Sequence, residues 1–194
     1  MLCSFTCSED LISLYNCFDD QEVKDLRLNA FFEAREDEQY KVAKVVEKVY
    51  DCFVIRSAEL YLNKAEAEAM LDKAEAKQTI KTLLNNRFEG GIPDVDGLNE
   101  KDLISFIRDE RRRELCFEAH RWFDLRRYAV SSKYPEKKSI RHETYDKNGV
   151  LEGDYVLKPY GEDPAWVLPI PGYEIVYNQG NLVDNPQRVE RKLE

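Results

Sequence analysis

The chain has 194 residues, of which 43% are hydrophobic and 35% are charged, and its formal net charge is −9 with a pI near 5.0. This composition is sufficient for one globular domain with an apolar core. The excess of carboxylates argues against a general nucleic-acid binder, which needs a surplus of Lys and Arg on one face. No run approaches the roughly 18 apolar residues that are needed to cross a bilayer.

Two N-terminal segments carry local signals of secondary structure. In residues 8–17, Ser8 stands as an N-cap ahead of a short apolar stripe, which predicts a brief helix. Residues 31–51 are ambiguous, because their valines fit a helical stripe while the density of Val and Tyr favours a strand. We expect a strand there.

The next two segments predict a pair of helices. Residues 53–71 place small or aliphatic side chains on one narrow face, which allows close helix packing; they are Ile55, Ala58, Leu62, Ala65 and Ala69. A second helix over residues 74–88 presents Ile80, Leu83 and Leu84. The short connection between them favours an antiparallel hairpin whose lengths match a tetratricopeptide-like pair.

Residues 100–128 predict one long helix, because they contain no Gly or Pro and Asn99 is placed to cap the first turn. Apolar side chains recur at helical spacing; they are Leu103, Ile104, Ile107, Leu115, Ala119, Trp122 and Leu125. The segment also holds eight basic and seven acidic residues, most of which can pair along the helix surface. Arg111 and Glu114 fall on the apolar face, which predicts one buried ion pair that fixes the orientation of the helix.

The C-terminal third has a different character. Tyr134-Pro135 ends the helical pattern, and Asn148-Gly149 between β-prone arms predicts a β-hairpin. The segment that follows contains several Pro, Gly and Asn residues. We expect it to be extended and held by three large side chains; these are Trp166, Ile170 and Tyr173.

Neither the cysteines nor the histidines predict a catalytic or metal site. The five cysteines form no CxxC pair, and His120 and His142 have no ligand spacing, so zinc is not predicted. At least one thiol is free, and a disulfide among Cys3, Cys7 and Cys17 stays open. A hydrolase would have to use His120 as its base, but no nucleophile accompanies it. We predict no enzyme, no catalytic residue, no metal and no cofactor.

Four ordered motifs resemble one known family. Residues 107–128, IRDERRRELCFEAHRWFDLRRY, resemble the signature helix of the SusD/RagB family of nutrient-binding lipoproteins in the outer membrane of Bacteroidota. Residues 54–70 are similar to the helix that precedes it, residues 166–175 to an LPIP-x-x-EI segment, and SEDLISLY with Asp25 and Arg27 to an upstream region. Residues 184–188 depart from the QNPGY-like end of the family, which bears on the packing of the tail.

The resemblance implies a mostly α fold with tetratricopeptide-like helix pairs and long loops, to which the residue patterns add a small β-hairpin and an irregular Pro-rich C-terminal wrap. It implies that residues 1–194 form one C-terminal domain of a longer protein. Family members carry a signal peptide and a lipid-modified cysteine ahead of this region. A lipid anchor, absent from this chain, would be the only membrane association and would hold the protein on the outer surface.

The resemblance further implies that the protein captures an oligosaccharide or another nutrient for polysaccharide utilization and passes it to a SusC-like TonB-dependent transporter, without chemistry and without nucleic acid. Exposed aromatic rings suit sugar rings because they combine an apolar face with a polar edge. The candidate ligand contacts within residues 131–165 are Tyr134, Tyr145 and Tyr160. The alternative is a helical protein-interaction scaffold without carbohydrate binding, favoured by the helix pair.

Overall fold

The computed structural model describes residues 7–18, 22–35, 40–44, 55–146 and 148–185, and it divides into two compact units, Met1–Arg121 and Trp122–Glu194. The helices of the first unit are α1 (Glu9–Asn16), α2 (Arg27–Phe31), α3 (Ser57–Met70), α4 (Glu75–Leu84) and α5 (Glu100–Glu114). Helix α6 (Arg121–Ala129) starts at the boundary and α7 (Gly172–Tyr177) lies in the second unit. The mostly helical fold expected from the sequence is confirmed.

The core of the first unit is formed mainly by α3, α4 and α5. Alanines at positions 58, 65 and 69 of α3 are buried, so the backbone of α3 approaches its neighbours closely. Helix α4 contributes Ile80, Leu83 and Leu84, and the connection from α3 to α4 is only four residues long, 71–74. The predicted helix pair is confirmed, except that Ile55 precedes α3 and is 72% exposed.

Helix α5 begins where the sequence predicts. The side chain of Asn99 accepts a hydrogen bond from the backbone N of Asp102 at 3.0 Å, which satisfies one of the free N–H groups of the first turn. The apolar face that follows buries Leu103, Ile104 and Ile107 in the core of the unit.

The prediction of one helix over residues 100–128 is wrong. Helix α5 ends at Glu114 and α6 starts at Arg121, and between them Phe117 and Ala119 adopt left-handed φ angles of 61° and 62°. Two non-glycine residues in this region interrupt the helical ladder without any Gly or Pro in the sequence. As a result Ala119, expected on the buried face, is exposed.

Short strands complete the first unit. Strands β1 (Lys24–Asp25) and β4 (Phe88–Glu89) pair antiparallel, as do β2 (Phe32–Ala34) and β3 (Tyr40–Val42). The strand expected within 31–51 is therefore confirmed at β2 and β3, while residues 36–39 and 45–51 lie outside the described residues. Helix α1 confirms the predicted brief helix, although Ser8 at its N-cap position makes no capping bond through its side chain.

The second unit contains the predicted β-hairpin. Strands β5 (Ile140–Tyr145) and β6 (Leu151–Leu157) pair antiparallel around a turn in which Gly149 has a φ of 81°. A 3₁₀ turn (Pro164–Trp166) follows, and Trp166 is 1% exposed as expected. The extended tail is a wrong prediction in part, because Pro171 stands at the N-cap position of α7, and Tyr173 is 62% exposed rather than an anchor.

Candidate functional site

A buried network of charged side chains surrounds Glu114, the last residue of α5. Arg27 donates hydrogen bonds to Asp25, Glu110 and Glu114. Arg56 and Arg87 reach Glu114 from two other segments, with N–O distances of 2.6 and 2.8 Å. One carboxylate therefore accepts from three guanidinium groups that lie far apart along the chain.

Burial and the neighbouring cations shift the pKa values of these carboxyl groups in opposite directions. Removal from water disfavours the ionised form of Glu114, but the hydrogen bonds and charges of Arg87, Arg27 and Arg56 outweigh it and hold the pKa of Glu114 well below its ordinary range. Glu110 is fully buried and its pKa is lowered in the same way by Arg27 and Arg113. Both side chains are therefore ionised at neutral pH.

A second group of charges continues the network beyond α5. Glu118 accepts from Arg56 and pairs with Lys44, and both cations lower its pKa against the effect of burial. Lys44 also donates to the backbone carbonyls of Glu114 and Cys116 at 2.6 and 3.1 Å. These bonds satisfy polar groups in the segment where the helix is interrupted.

The observed network is larger than the single ion pair expected from the sequence. Glu114 is buried and paired as predicted, but its partners come from outside α5. Pairing along the helix is confirmed for Glu110 with Arg113 and for Asp124 with Arg127. The expected surface location fails in α5, which buries five charged side chains; these are Arg108, Glu110, Arg111, Arg113 and Glu114. Every described contact of the network joins one part of the first unit to another, so its role is to fix the fold.

In the part of the chain that the structure describes, His120 lies beside a carboxylate on α3. Its Nδ1 lies 3.8 Å from Glu59 Oε1, and the same Glu59 side chain faces Arg111. Within the described residues, no group of three His, Cys, Asp or Glu side chains could hold a metal ion. The helices of that same part of the chain include none long and apolar enough to span a membrane.

The three tyrosines predicted as ligand contacts lie in the second unit but in different surroundings. Tyr134, with a φ of 47°, is 37% exposed, and Tyr145 at the end of β5 is 53% exposed. Tyr160 is half-buried, with its ring against Trp166 in an edge-to-face contact at 5.9 Å and Arg126 5.3 Å from its ring centroid. A pocket of about 300 Å³ lies elsewhere, beside β1, and none of the three lines it.

Tyr145 belongs to a polar face of the β-hairpin. Alternate residues of a strand point to the same side, so Arg141, Glu143 and Tyr145 share one face of β5. The hydroxyl of Tyr145 donates to Glu143, and Arg141 pairs with Asp154 across the hairpin. The hairpin thus carries an exposed ring bonded to one carboxylate and, farther along, a guanidinium–carboxylate pair, which are groups that can donate to and accept from sugar hydroxyls. The sequence pattern identifies Tyr145 as a candidate contact but does not identify Arg141, Glu143 and Asp154. Their position on the same hairpin follows from the strand register.

Trp122 and Trp166 form the aromatic centre of the second unit. Their ring centroids are 4.5 Å apart at an interplanar angle of 35°, and the indole N–H of Trp166 donates to the carbonyl of Lys158 at 2.7 Å. Trp166 is buried whereas Trp122 is half-buried. Because Tyr160 packs on Trp166, it contributes to the packing of the unit as well as to its surface.

Comparison with known proteins agrees with the mostly helical fold. The SusD_RagB family model, described as the SusD family, matches residues 20–187. The chain is 28% identical over 142 residues to SusD-like protein P2 of Formosa agariphila, which covers 68% of the chain and 25% of that protein. It is 40% identical over 79 residues to SusD-like protein P38 of the same organism, over 37% of the chain and 16% of that protein.

Among solved structures, a SusD-like carbohydrate binding protein from Bacteroides vulgatus ATCC 8482 shares the fold, with a TM-score of 0.57 and 21% identity over 91% of this chain and 41% of that one. The described residues thus define a mostly helical protein with a β-hairpin at residues 140–157 and a charged, largely buried helix α5. The chain belongs to the SusD family. It spans a quarter or less of the length of the two curated relatives.

Proposed function

We propose that the protein binds an oligosaccharide at the cell surface and delivers it to a SusC-like TonB-dependent outer-membrane transporter, without catalysing a reaction. The observation that carries this proposal is the family match over residues 20–187. The name of the related structure from Bacteroides vulgatus includes carbohydrate binding, which supports the same ligand class for this chain. Attachment to the outer membrane through a lipid anchor is part of the proposal.

Within this proposal, the ligand binds on the exposed face of the β-hairpin. Tyr145 offers an exposed ring, Glu143 accepts from its hydroxyl, and Arg141 and Asp154 form an ion pair on the same hairpin. A sugar ring stacks on an aromatic face through its C–H groups, while its hydroxyls bond to polar neighbours. We therefore rank Tyr145 first among the candidate contacts, then Tyr134, and Tyr160 last because its ring already packs on Trp166.

The test is a glycan array probed with the protein, followed by isothermal titration with each saccharide that binds. Tyr145→Ala should weaken binding at least tenfold if the ring stacks on the sugar. Tyr177→Ala is the matched control, because Tyr177 is also an exposed tyrosine of the second unit, at 81%, but lies outside the hairpin. Equal loss of affinity in both variants would remove the hairpin from the proposal.

The transporter is tested separately by affinity purification from cells that express the tagged protein. Recovery of a TonB-dependent transporter, together with saccharide binding, is the expected result. If no saccharide binds and only other soluble proteins are recovered, the interaction-scaffold alternative replaces this proposal. That alternative draws support from α3, where Leu60 and Tyr61 are 59% and 40% exposed on the side away from the core.

A further inference from the structure

Two thiols of the first unit share one apolar cluster although they stand far apart in the sequence. Cys116 follows α5 and is 8% exposed, within a cluster that also contains Leu11, Tyr15 and Phe32. Cys7 precedes α1, is half-buried and packs against the same cluster. Both are free thiols in the structure.

Both cysteines are held in place by their surroundings. The backbone N of Cys7 donates to the carbonyl of Tyr40 at 3.0 Å, which fixes the start of the described chain to β3. The hydroxyl of Tyr15 donates to the carbonyl of Arg113 at 2.7 Å, so its oxygen is left to accept from the Cys116 thiol 3.4 Å away. Lys44 Nζ lies 4.0 Å from the same sulfur.

The electrostatics are consistent with proximity of the two sulfurs. Burial raises the pKa of the Cys7 thiol to about 11, and the charge of Cys116 adds to that increase. Burial also raises the pKa of Cys116, while Lys44 acts in the opposite direction. Both shifts lower the fraction of thiolate at neutral pH, so oxidation of the pair is slower there than in alkaline solution.

We propose that Cys7 and Cys116 are a modification site at which a disulfide oxidant joins them in an intramolecular disulfide. The Cys7 thiolate, the more accessible of the two, attacks the oxidant, forms a mixed disulfide and releases one thiol of the oxidant. The Cys116 thiolate then attacks the Cys7 sulfur, forms the Cys7–Cys116 bond and releases the second thiol. The pair loses two protons and two electrons, and the disulfide of the oxidant accepts both electrons.

The closed bond would tie the segment before α1 to the segment after α5, and so cross-link most of the first unit. Because the cross-link spans a long stretch of chain, it restricts the unfolded state strongly. The inference requires neither a saccharide nor a transporter, so its outcome is independent of the proposed function.

The test uses the full chain with Cys3, Cys17 and Cys52 replaced by Ser, so that only the proposed pair remains. After incubation with oxidised glutathione at pH 8.5, intact mass spectrometry should show the loss of two hydrogens and no bound glutathione. The melting temperature should exceed that of the reduced form by roughly 10 °C, and dithiothreitol should reverse both changes.

Two further variants distinguish the Cys7–Cys116 disulfide from oxidation of either cysteine alone. With Cys7→Ser or Cys116→Ser added, the remaining thiol should only form a mixed disulfide, and the melting temperature should no longer depend on reductant. In the wild-type chain, peptide mapping should join Cys7 to Cys116 and leave Cys17, which is exposed, open to alkylation. A mapped bond from Cys7 or Cys116 to any other cysteine, or full alkylation of both after oxidation, would overturn the proposal.

Discussion

Arg27 and Glu114 form a buried ion pair with an N–O distance of 2.9 Å, and both side chains are at most 4% exposed. The pair connects α2 to the end of α5, so two distant parts of the first unit depend on one guanidinium. Arg27 also contacts Asp25 and Glu110, so three buried carboxylates share its positive charge.

Replacement of Arg27 should therefore strongly destabilise the protein. We expect Arg27→Met to lower the free energy of unfolding by about 3–5 kcal/mol, because Asp25, Glu110 and Glu114 stay buried with one cation fewer among them. Urea unfolding monitored by circular dichroism measures this change in the free energy of unfolding. Arg112→Met is the control, since Arg112 pairs with the exposed Asp10 and should cost at most about 1 kcal/mol. Equal effects of the two substitutions would contradict this role for the network.

The same network predicts how stability depends on pH. Folding lowers the pKa values of Glu110, Glu114 and Glu118, so their contribution is fully present above the ordinary Glu value of about 4.3 and is lost as pH falls below it towards the folded-state values. Melting temperatures should therefore decline below about pH 4.3. In Glu114→Gln the decline should be shallower, whereas Glu152→Gln, at an exposed position, should reproduce the wild-type slope. A wild-type slope in Glu114→Gln would speak against its lowered pKa.

The interruption between α5 and α6 predicts an unusual response to glycine. Ala119 pays about 1 kcal/mol for its left-handed conformation, which glycine adopts freely, and the greater freedom of glycine in the unfolded chain offsets part of the gain. We expect Ala119→Gly to be neutral or to stabilise by roughly 0.5 kcal/mol. Ala67→Gly, at an exposed position inside α3, should destabilise by about 0.5–1 kcal/mol. Denaturant unfolding measures the change in the free energy of unfolding for both variants. If Ala119→Gly destabilises the protein as Ala67→Gly does, the left-handed conformation of Ala119 is contradicted.

The tryptophan pair predicts a graded effect in the second unit. Trp166→Ala should cost about 3–5 kcal/mol, because the ring is fully buried and its N–H is bonded. Trp122→Ala should cost about 2 kcal/mol, less than a fully buried ring would, since it is half-buried. Phe123→Ala, at 66% exposure, should lie within about 0.5 kcal/mol of wild type. Thermal unfolding monitored by circular dichroism ranks the stability of the three variants. A reversed order would contradict the packing of Trp122 on Trp166.

Local signals in the sequence were reliable where the neighbours of a residue determine its conformation. The Asn99 cap, the α3–α4 pair and the Asn148-Gly149 turn all follow from such local chemistry. The break after Glu114 could not be predicted, because Phe117 and Ala119 carry no intrinsic preference for left-handed φ. Tertiary contacts to Lys44 support that segment instead.

The partners of Glu114 were equally inaccessible to sequence reasoning. Helical spacing shows that Glu114 lies on the apolar face, but it does not identify Arg27, Arg56 or Arg87 as its cations. Pairing over such separations is a property of the assembled fold. In the tail, the prolines favour an extended segment by their spacing, but Pro171 precedes α7, and proline is well tolerated at the start of a helix.

The contact between Trp122 and Trp166 has a spectroscopic consequence. These are the only two tryptophans among the 194 residues, and both lie in the second unit. Indole fluorescence emission therefore reports on that unit alone, without any attached dye. Emission and the helical ellipticity at 222 nm, to which the first unit contributes most of the helices, can then be compared during one denaturant titration to learn whether the two units unfold together.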